Sequence, residues 1–281
     1  MNKKDICVII PIYKEILNDF EIQSVNQCIK VLSEYSLCFV CPQGLNIDFY
    51  RDNFSGINNF TFFDKIYFQS LKGYNRLMLY PNFYKTFNHF KYMLIYQTDC
   101  YVFRDELLKW ANKGYDYIGG IWFENYIGNP YLGAKLWQAG NGGLSLRKIE
   151  SISRMLSTKK PIKKFTKLFI ETEKLRNIGR ISFLKGLFLL PFKVFGYNNN
   201  VNYLSKNYQF NEDGFIIETS FKLKFLTIPE VKDAIGFSWD CHPKFLYEVF
   251  GQLPFACHAW YRNDSCYEGN KEFWSNYIKI K

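Results

Sequence analysis

Leu94-Ile95-Tyr96-Gln97-Thr98-Asp99-Cys100-Tyr101-Val102-Phe103 is an apolar run that turns polar for three residues and becomes apolar again at once. With Tyr92 and Met93 before it, the first run reads as a strand covered on both faces, carrying Asp99 at its carboxyl end. Ile6 to Ile12 upstream reads the same way. Between the two, Asp19 opens a helical stretch with Phe20, Val25, Ile29 and Leu32 at three-to-four spacing and Glu34 near its end. Leu37 to Val40 is a second strand closed by Pro42, Gln43 and Gly44, and Phe60 to Phe63 and Ile66 to Phe68 read as further short strands. Tyr74 to Phe90 gives two helical pieces broken at Pro81. This alternation implies an α/β fold: a doubly wound, mainly parallel sheet flanked by helices, with its ligand crevice at the carboxyl ends of the strands.

A chain of 281 residues, 48% hydrophobic and 22% charged, can bury a large core, which excludes wholesale disorder. The formal charge of +10 is unevenly placed: Arg147 to Lys206 holds 14 basic and 3 acidic residues, and the remainder is balanced at 22 and 23. We expect a single domain over 1–281, interrupted at 151–206 by a basic, partly apolar insertion of two or three helices. Such a segment fits nucleic acid or an anionic membrane surface. It carries no recognisable nucleic-acid motif, and its apolar residues favour lipid. No segment is long enough to span a bilayer: the longest uncharged run of its most apolar part is Gly186 to Phe192. Ile6 to Tyr13 contains Pro11, lacks a small-residue cleavage site and leads straight into Lys14 and Glu15, so it reads as a strand rather than a signal peptide, with a cytoplasmic protein as the expectation. Eight scattered cysteines show no disulfide pattern; Cys241-His242 with Cys257-His258 allow a zinc site, and reduced core thiols are the plainer reading.

Four constellations bear chemistry. Asp99 at a strand end is where a metal-assisted transfer enzyme of the open α/β type needs a carboxylate for Mg²⁺ or Mn²⁺; a turn former is the alternative. Gly140-Asn141-Gly142-Gly143-Leu144-Ser145-Leu146-Arg147 lets a ligand approach the backbone, with Asn141 and Ser145 offering hydrogen bonds and Trp122 and Trp137 near enough to supply walls. Its spacing fits neither a Walker loop nor a dinucleotide fingerprint, and a structural turn stays open. Glu212-Asp213 after Asn211 could provide a base, or simply the acidic first turn of a helix. His258, in Pro254-Phe255-Ala256-Cys257-His258-Ala259-Trp260, reads as a metal ligand, a pyrophosphate donor or a buried structural histidine. His89 and His242 read as structural.

In order, these segments resemble a GT-A-type glycosyltransferase, and more closely a bacterial domain-of-unknown-function family associated with cell-surface polysaccharide (lipopolysaccharide or capsule) synthesis. Val8 to Glu15, Gly73 to Met78, Tyr96 to Asp99 and Tyr115 to Gly119 carry the likeness, together with the glycine segment and the segment around His258. The resemblance implies transfer of a hexose, by default from a UDP-sugar, to a glycan or lipid-linked glycan. It puts Pro11, Tyr13, Glu15, Asn75, Arg76, Gln97, Thr98 and Asp99 around the nucleotide. Gln97-Thr98-Asp99 stands where the family has DxD, so the first acid is replaced; Asp99 and His258 would hold Mn²⁺ or Mg²⁺. Glu212-Asp213 resembles the xED element of inverting members, with Asp213 as base. Trp122, Asn141, Gly142, Gly143 and Ser145 would meet the acceptor sugar. An inactive protein that kept the fold is the alternative, since Gln97 departs from the pattern. The basic insertion would rest on the anionic inner face of the cytoplasmic membrane, and no nucleic acid is expected.

Overall fold

A computed structural model of the chain describes residues 1–279. Six strands form the main sheet: β1 (Ile6–Pro11), β2 (Ser36–Pro42), β3 (Asn59–Phe63), β4 (Tyr92–Tyr96), β6 (Tyr117–Phe123) and β7 (Leu136–Lys148), in the order β3-β2-β1-β4-β7-β6. β3, β2, β1 and β4 pair in parallel, while β7 runs antiparallel to both β4 and β6, so β7 alone is reversed. Two-residue strands β5 (Tyr101–Val102), β8 (Ser238–Trp239) and β9 (Ala256–Cys257) make a second small sheet in the order β5-β9-β8.

The period-two alternation of the strands divides the core between two faces. Ile6, Val8, Ile10, Leu94 and Tyr96 face the helix Asp19–Leu32 and the small sheet. Cys7, Ile9, Met93 and Ile95 face a layer that includes the helices Leu71–Met78, Pro81–Thr86, Ile149–Ser157 and Glu212–Leu223. Both faces of β1 and β4 are thus covered, which is why those strands read as unbroken apolar runs. All eight cysteines are free, and all but Cys266 are buried.

The structure corrects three expectations. Lys65–Tyr67 is a 3₁₀ turn and not a strand, because the Asp64 side chain accepts from Ile66 N at 2.9 Å and bends the chain there. The glycine-rich segment Gly140 to Arg147 is no turn: it lies in β7, inside the main sheet. The basic stretch holds four helices. The first and last, Ile149–Ser157 and Val201–Lys206, pack on each other, and the first also packs on the body. The middle two, Phe165–Lys174 and Arg180–Val194, pack chiefly on one another. Arg147, the first residue of the basic stretch as counted from sequence, is fully buried.

Candidate active site

The topology gathers residues far apart in sequence at the carboxyl ends of β1 and β4. β8 and β9 run in parallel with Trp239 beside Cys257, so the next residues, Asp240 and His258, emerge side by side. β5 pairs antiparallel with β9, Tyr101 opposite Cys257, which brings the segment just before β5 against His258. The result is a line of polar atoms. His258 Nδ1–H donates to Asp240 Oδ1 at 2.6 Å, and the other ring nitrogen lies 3.2 Å from Asp99 Oδ1 and 3.1 Å from Gln97 Oε1. Burial opposes the charge on this ring, but Asp99 and Asp240 outweigh it and push its pKa up to about 10. Burial likewise opposes ionisation of Asp99, yet the His258 charge holds its carboxyl below the usual range.

Asp99 Oδ1 and Gln97 Oε1 therefore both lie within hydrogen-bond distance of the same ring nitrogen of His258. Asp240 fixes the ring from behind, as carboxylate partners of metal-binding histidines do. Among the described residues no three His, Cys, Asp or Glu side chains converge in this way, so the Gln97 amide has to supply the third contact. Two oxygen donors and an imidazole nitrogen are of the chemical kind that Mn²⁺ or Mg²⁺ accepts.

Beside this point a cleft of about 510 Å³ opens, its wall formed in part by Pro11, Tyr13, Lys14, Tyr74, Asp99 and Arg262. Among the described residues the buried Tyr74 hydroxyl has no hydrogen-bond partner within normal distance, and Gln97 is the polar side chain nearest to acting as one. Glu21, hidden by sequence reading inside an ordinary helix start, anchors this wall. It closes a capping box with Asn18 and also meets Lys14 Nζ at 2.8 Å, while Thr98 Oγ1 donates to it at 3.2 Å. A larger hollow of about 930 Å³ lies at the other end of β4, lined by Lys91, Lys148 and Arg154 among others, but without converging acids or histidines.

β7 links this cleft to the acidic pair. The Asn141 side chain donates to Asp240 Oδ2 at 2.8 Å and accepts from Gly143 N at 2.9 Å. A Cβ on Gly143 would lie 2.3 Å from His258 Nε2, and one on Gly142 would lie 2.5 Å from Glu212 Oε1. Glycine is required at both positions because the histidine ring and the acidic helix start press against the strand itself. Gly142 N donates to Asp213 Oδ2 at 2.9 Å. Burial and the neighbouring Glu212 charge raise the Asp213 pKa to about 7. Glu212 is held by Arg147, whose buried guanidinium also reaches Ser145 Oγ and the Tyr84 hydroxyl, each at 2.9 Å.

The expected site residues fall into distinct places. Gln97, Thr98, Asp99, Pro11 and Tyr13 share the cleft, with His258 at its lip. Asp213 and Glu212 start the helix Glu212–Leu223, but Asp213 is only 8% exposed and does not line the cleft. Asn211 is the cap by backbone only; its side chain accepts from Asn75 at 3.4 Å, so Asn75 braces the acidic helix rather than facing the cleft. Arg76 and Glu15 point to solvent outside the cleft wall. Ser145 is fully buried behind Gly142, donating to its carbonyl, and cannot reach an acceptor. Trp122 is 4% exposed and stacked under Trp137, which at 38% is the ring of the pair that offers a face. Asp240 and Glu21 escaped sequence reading, and Arg147 and Tyr74 entered it only within quoted segments, without a role.

No curated protein sequence matches the chain. Solved structures with a similar layout include mouse xyloside xylosyltransferase 1 in its apo form, at 10% identity over 89% of this chain and 96% of that one, with a TM-score of 0.47. The galactosyltransferase LgtC in complex with donor and acceptor sugar analogues is also 10% identical, over 95% and 93%, with a TM-score of 0.47. The apo-form glycosyltransferase GlyE of Streptococcus pneumoniae TIGR4 is 12% identical over 98% of this chain and 60% of that one, at 0.45. Likeness at that level assigns no chemistry. The family model described as "Protein of unknown function (DUF5672)" matches residues 58–258, well over half the sequence, and the chain belongs to that family.

Proposed function

We propose that the chain is a glycosyltransferase, moving a hexosyl group from a nucleotide sugar, by default a UDP-hexose, to a glycan acceptor in bacterial surface-polysaccharide synthesis. The observation that carries this reading is the convergence of Gln97, Asp99 and His258 at the lip of a strand-end cleft. Gln97, Asp99 and His258 would hold Mn²⁺ or Mg²⁺, which when bound supplies positive charge for the diphosphate. Pro11, Tyr13 and the unpartnered Tyr74 hydroxyl form the nucleotide wall, and Lys14 and Arg262 add positive charge to it.

Asp213, which lies behind Gly142 outside the cleft wall, is the proposed base for an inverting displacement and would be reached by the acceptor hydroxyl rather than by the donor. With a pKa raised to about 7 it can take a proton near neutral pH, while Gly142 N and Gly214 N keep its carboxylate oriented. The acceptor hydroxyl gives its proton to Asp213 as its oxygen bonds to the anomeric carbon, opposite the diphosphate. The bond from that carbon to the phosphate oxygen breaks, and its electron pair leaves with the nucleoside diphosphate. The acceptor sugar approaches from the side of Trp137 and Tyr126, which lie edge to face at 4.9 Å.

The reading treats 1–281 as one catalytic domain with 151–206 inserted, working on a lipid-linked glycan at the cytoplasmic face of the inner membrane. Among the described residues no helix is long and apolar enough to cross a membrane. The test is nucleoside diphosphate release from UDP-hexoses with added Mn²⁺. Wild type should turn over, and Asp213→Asn should not while still binding nucleotide. Turnover like wild type in that variant removes Asp213 from the role. Binding without any turnover in wild type favours an inactive sugar-binding protein, the reading that Gln97 in place of a first carboxylate supports.

A further inference from the structure

The helix Arg180–Val194 carries an apolar face that none of the described residues covers. Ile181, Leu184, Phe188, Phe192 and Phe195 follow at spacings of three and four, a single stripe. Ile181 is 85%, Phe188 71% and Phe195 87% exposed. Within this helix only Gly186 and Leu190 are buried, Gly186 against Thr172 and Leu175. The neighbouring helix Phe165–Lys174 adds Phe165 and Phe169, stacked on each other at 5.9 Å and both exposed. Lone exposed apolar residues are ordinary, but a continuous exposed stripe marks a surface meant for a partner.

The hairpin is also rigidly mounted. At its base Asn199 is fully buried, and its side chain donates to the carbonyls of Lys163 and Lys193, each at 2.9 Å, and accepts from Lys163 N at 3.0 Å. Both strands of the connection are clasped by one side chain, so the stripe is presented by the body rather than trailing from it.

Charge decides what the partner is. From Lys159 to Asn200 there are ten basic and two acidic residues. Lys163 meets Glu171 and Arg176 meets Glu173, so both acids are already paired and the surplus is positive. Two copies of such a surface would repel, which disfavours self-association through it. Phenylalanine and isoleucine flanked by lysine and arginine fit a bilayer interface, with acyl chains for the stripe and anionic headgroups for the cations.

We propose that Ile181, Leu184, Phe188, Phe192 and Phe195 form a membrane-insertion face, seated in the interfacial zone of an anionic bilayer and held by the surrounding lysines. This names the contact surface for the membrane-bound reading above and does not depend on what the cleft transfers. The test is co-sedimentation of the full chain with vesicles of phosphatidylcholine containing phosphatidylglycerol, and with phosphatidylcholine alone. Binding should be strong only with the anionic lipid. Phe188→Ser with Phe192→Ser should lower the partition coefficient by about tenfold or more, since apolar area and charge both set such binding. Lys185→Gln with Lys193→Gln should lower it less and reduce its salt dependence. Phe188, Phe192 and Lys185 are exposed and Lys193 is half-buried, and circular dichroism together with nucleotide-sugar thermal shift checks that fold and cleft are intact. Equal binding to both vesicle types, or by the double Phe variant, overturns the proposal. So does wild type dimerising through this face while ignoring vesicles. Nucleotide-sugar binding in the same variants separates this failure from failure of the transferase reading.

Discussion

Gly143→Ala is the sharpest perturbation the site allows. The added Cβ would lie 2.3, 2.5 and 2.6 Å from three atoms of the His258 ring. Ordinary contact begins at 3.4 Å, so something must move by about 1 Å. The strand cannot easily give way, because Gly143 N donates to Asn141 Oδ1 at 2.9 Å and Gly143 O accepts from Gln97 N at 3.1 Å. The ring therefore shifts, stretching its 2.6 Å bond to Asp240 and leaving Asp99. Overpacking of this kind costs about 1–3 kcal/mol in stability. Loss of ring support should weaken Mn²⁺ binding about 10–100-fold, and a misplacement of about 1 Å should lower turnover about 100-fold. Isothermal titration with Mn²⁺, alongside a thermal melt, reads both effects. Gly142→Ala is the matched control, since its Cβ meets Glu212 and Asp213 instead of His258. It should lower turnover while largely sparing cation affinity. Unchanged Mn²⁺ affinity in a folded Gly143→Ala protein refutes the reasoning.

Three other outcomes follow from the same contacts. Asp240→Asn removes the carboxylate behind His258 and should reduce Mn²⁺ affinity about 10–100-fold by titration, with little loss of fold. Arg147→Met leaves Glu212 buried without its cation, and should cost about 3–5 kcal/mol in denaturant unfolding at neutral pH. Asp213, with a folded pKa of about 7 against 3.8 in an unfolded chain, gives two pH signatures. The proton is bound more tightly in the folded state, so its stabilising effect is complete below pH 3.8 and lost as pH rises through 7. The total is on the order of 4 kcal/mol. Asp213→Asn should flatten that part of the stability curve. Turnover, which under the proposed mechanism needs the ionised base, should conversely rise through pH 7 before levelling off.

Much of the α/β layout was legible because β1 and β4 are buried on both faces and therefore unbroken in apolar character. Asp99 was legible for the same reason, as the acid that ends such a run. β7 was not. Its glycines carry no strand preference and mimic a turn, and their presence is explained only by His258 and Glu212 pressing on the backbone from distant segments. Asp240 follows a strand of two residues, too short to leave a pattern in sequence, although its position beside His258 follows directly once β8 and β9 pair. Arg147 was counted with the basic stretch because charge composition carries no information about burial. Its guanidinium is spent on Glu212, Ser145 and Tyr84 inside the core. Trp122 shows the reverse error: an aromatic close in sequence to the glycine segment is covered by its neighbour Trp137.

The account rests on a nucleotide sugar lying in the cleft with its diphosphate against Asp99 and His258. Thermal shift with a panel of nucleotide sugars, with and without Mn²⁺, on wild type and Asp99→Asn tests this directly. At saturating ligand, one donor should raise the wild-type melting temperature by about 5 °C with Mn²⁺, and the shift should vanish in Asp99→Asn. No shift with any nucleotide sugar, or an equal shift in the variant, contradicts it.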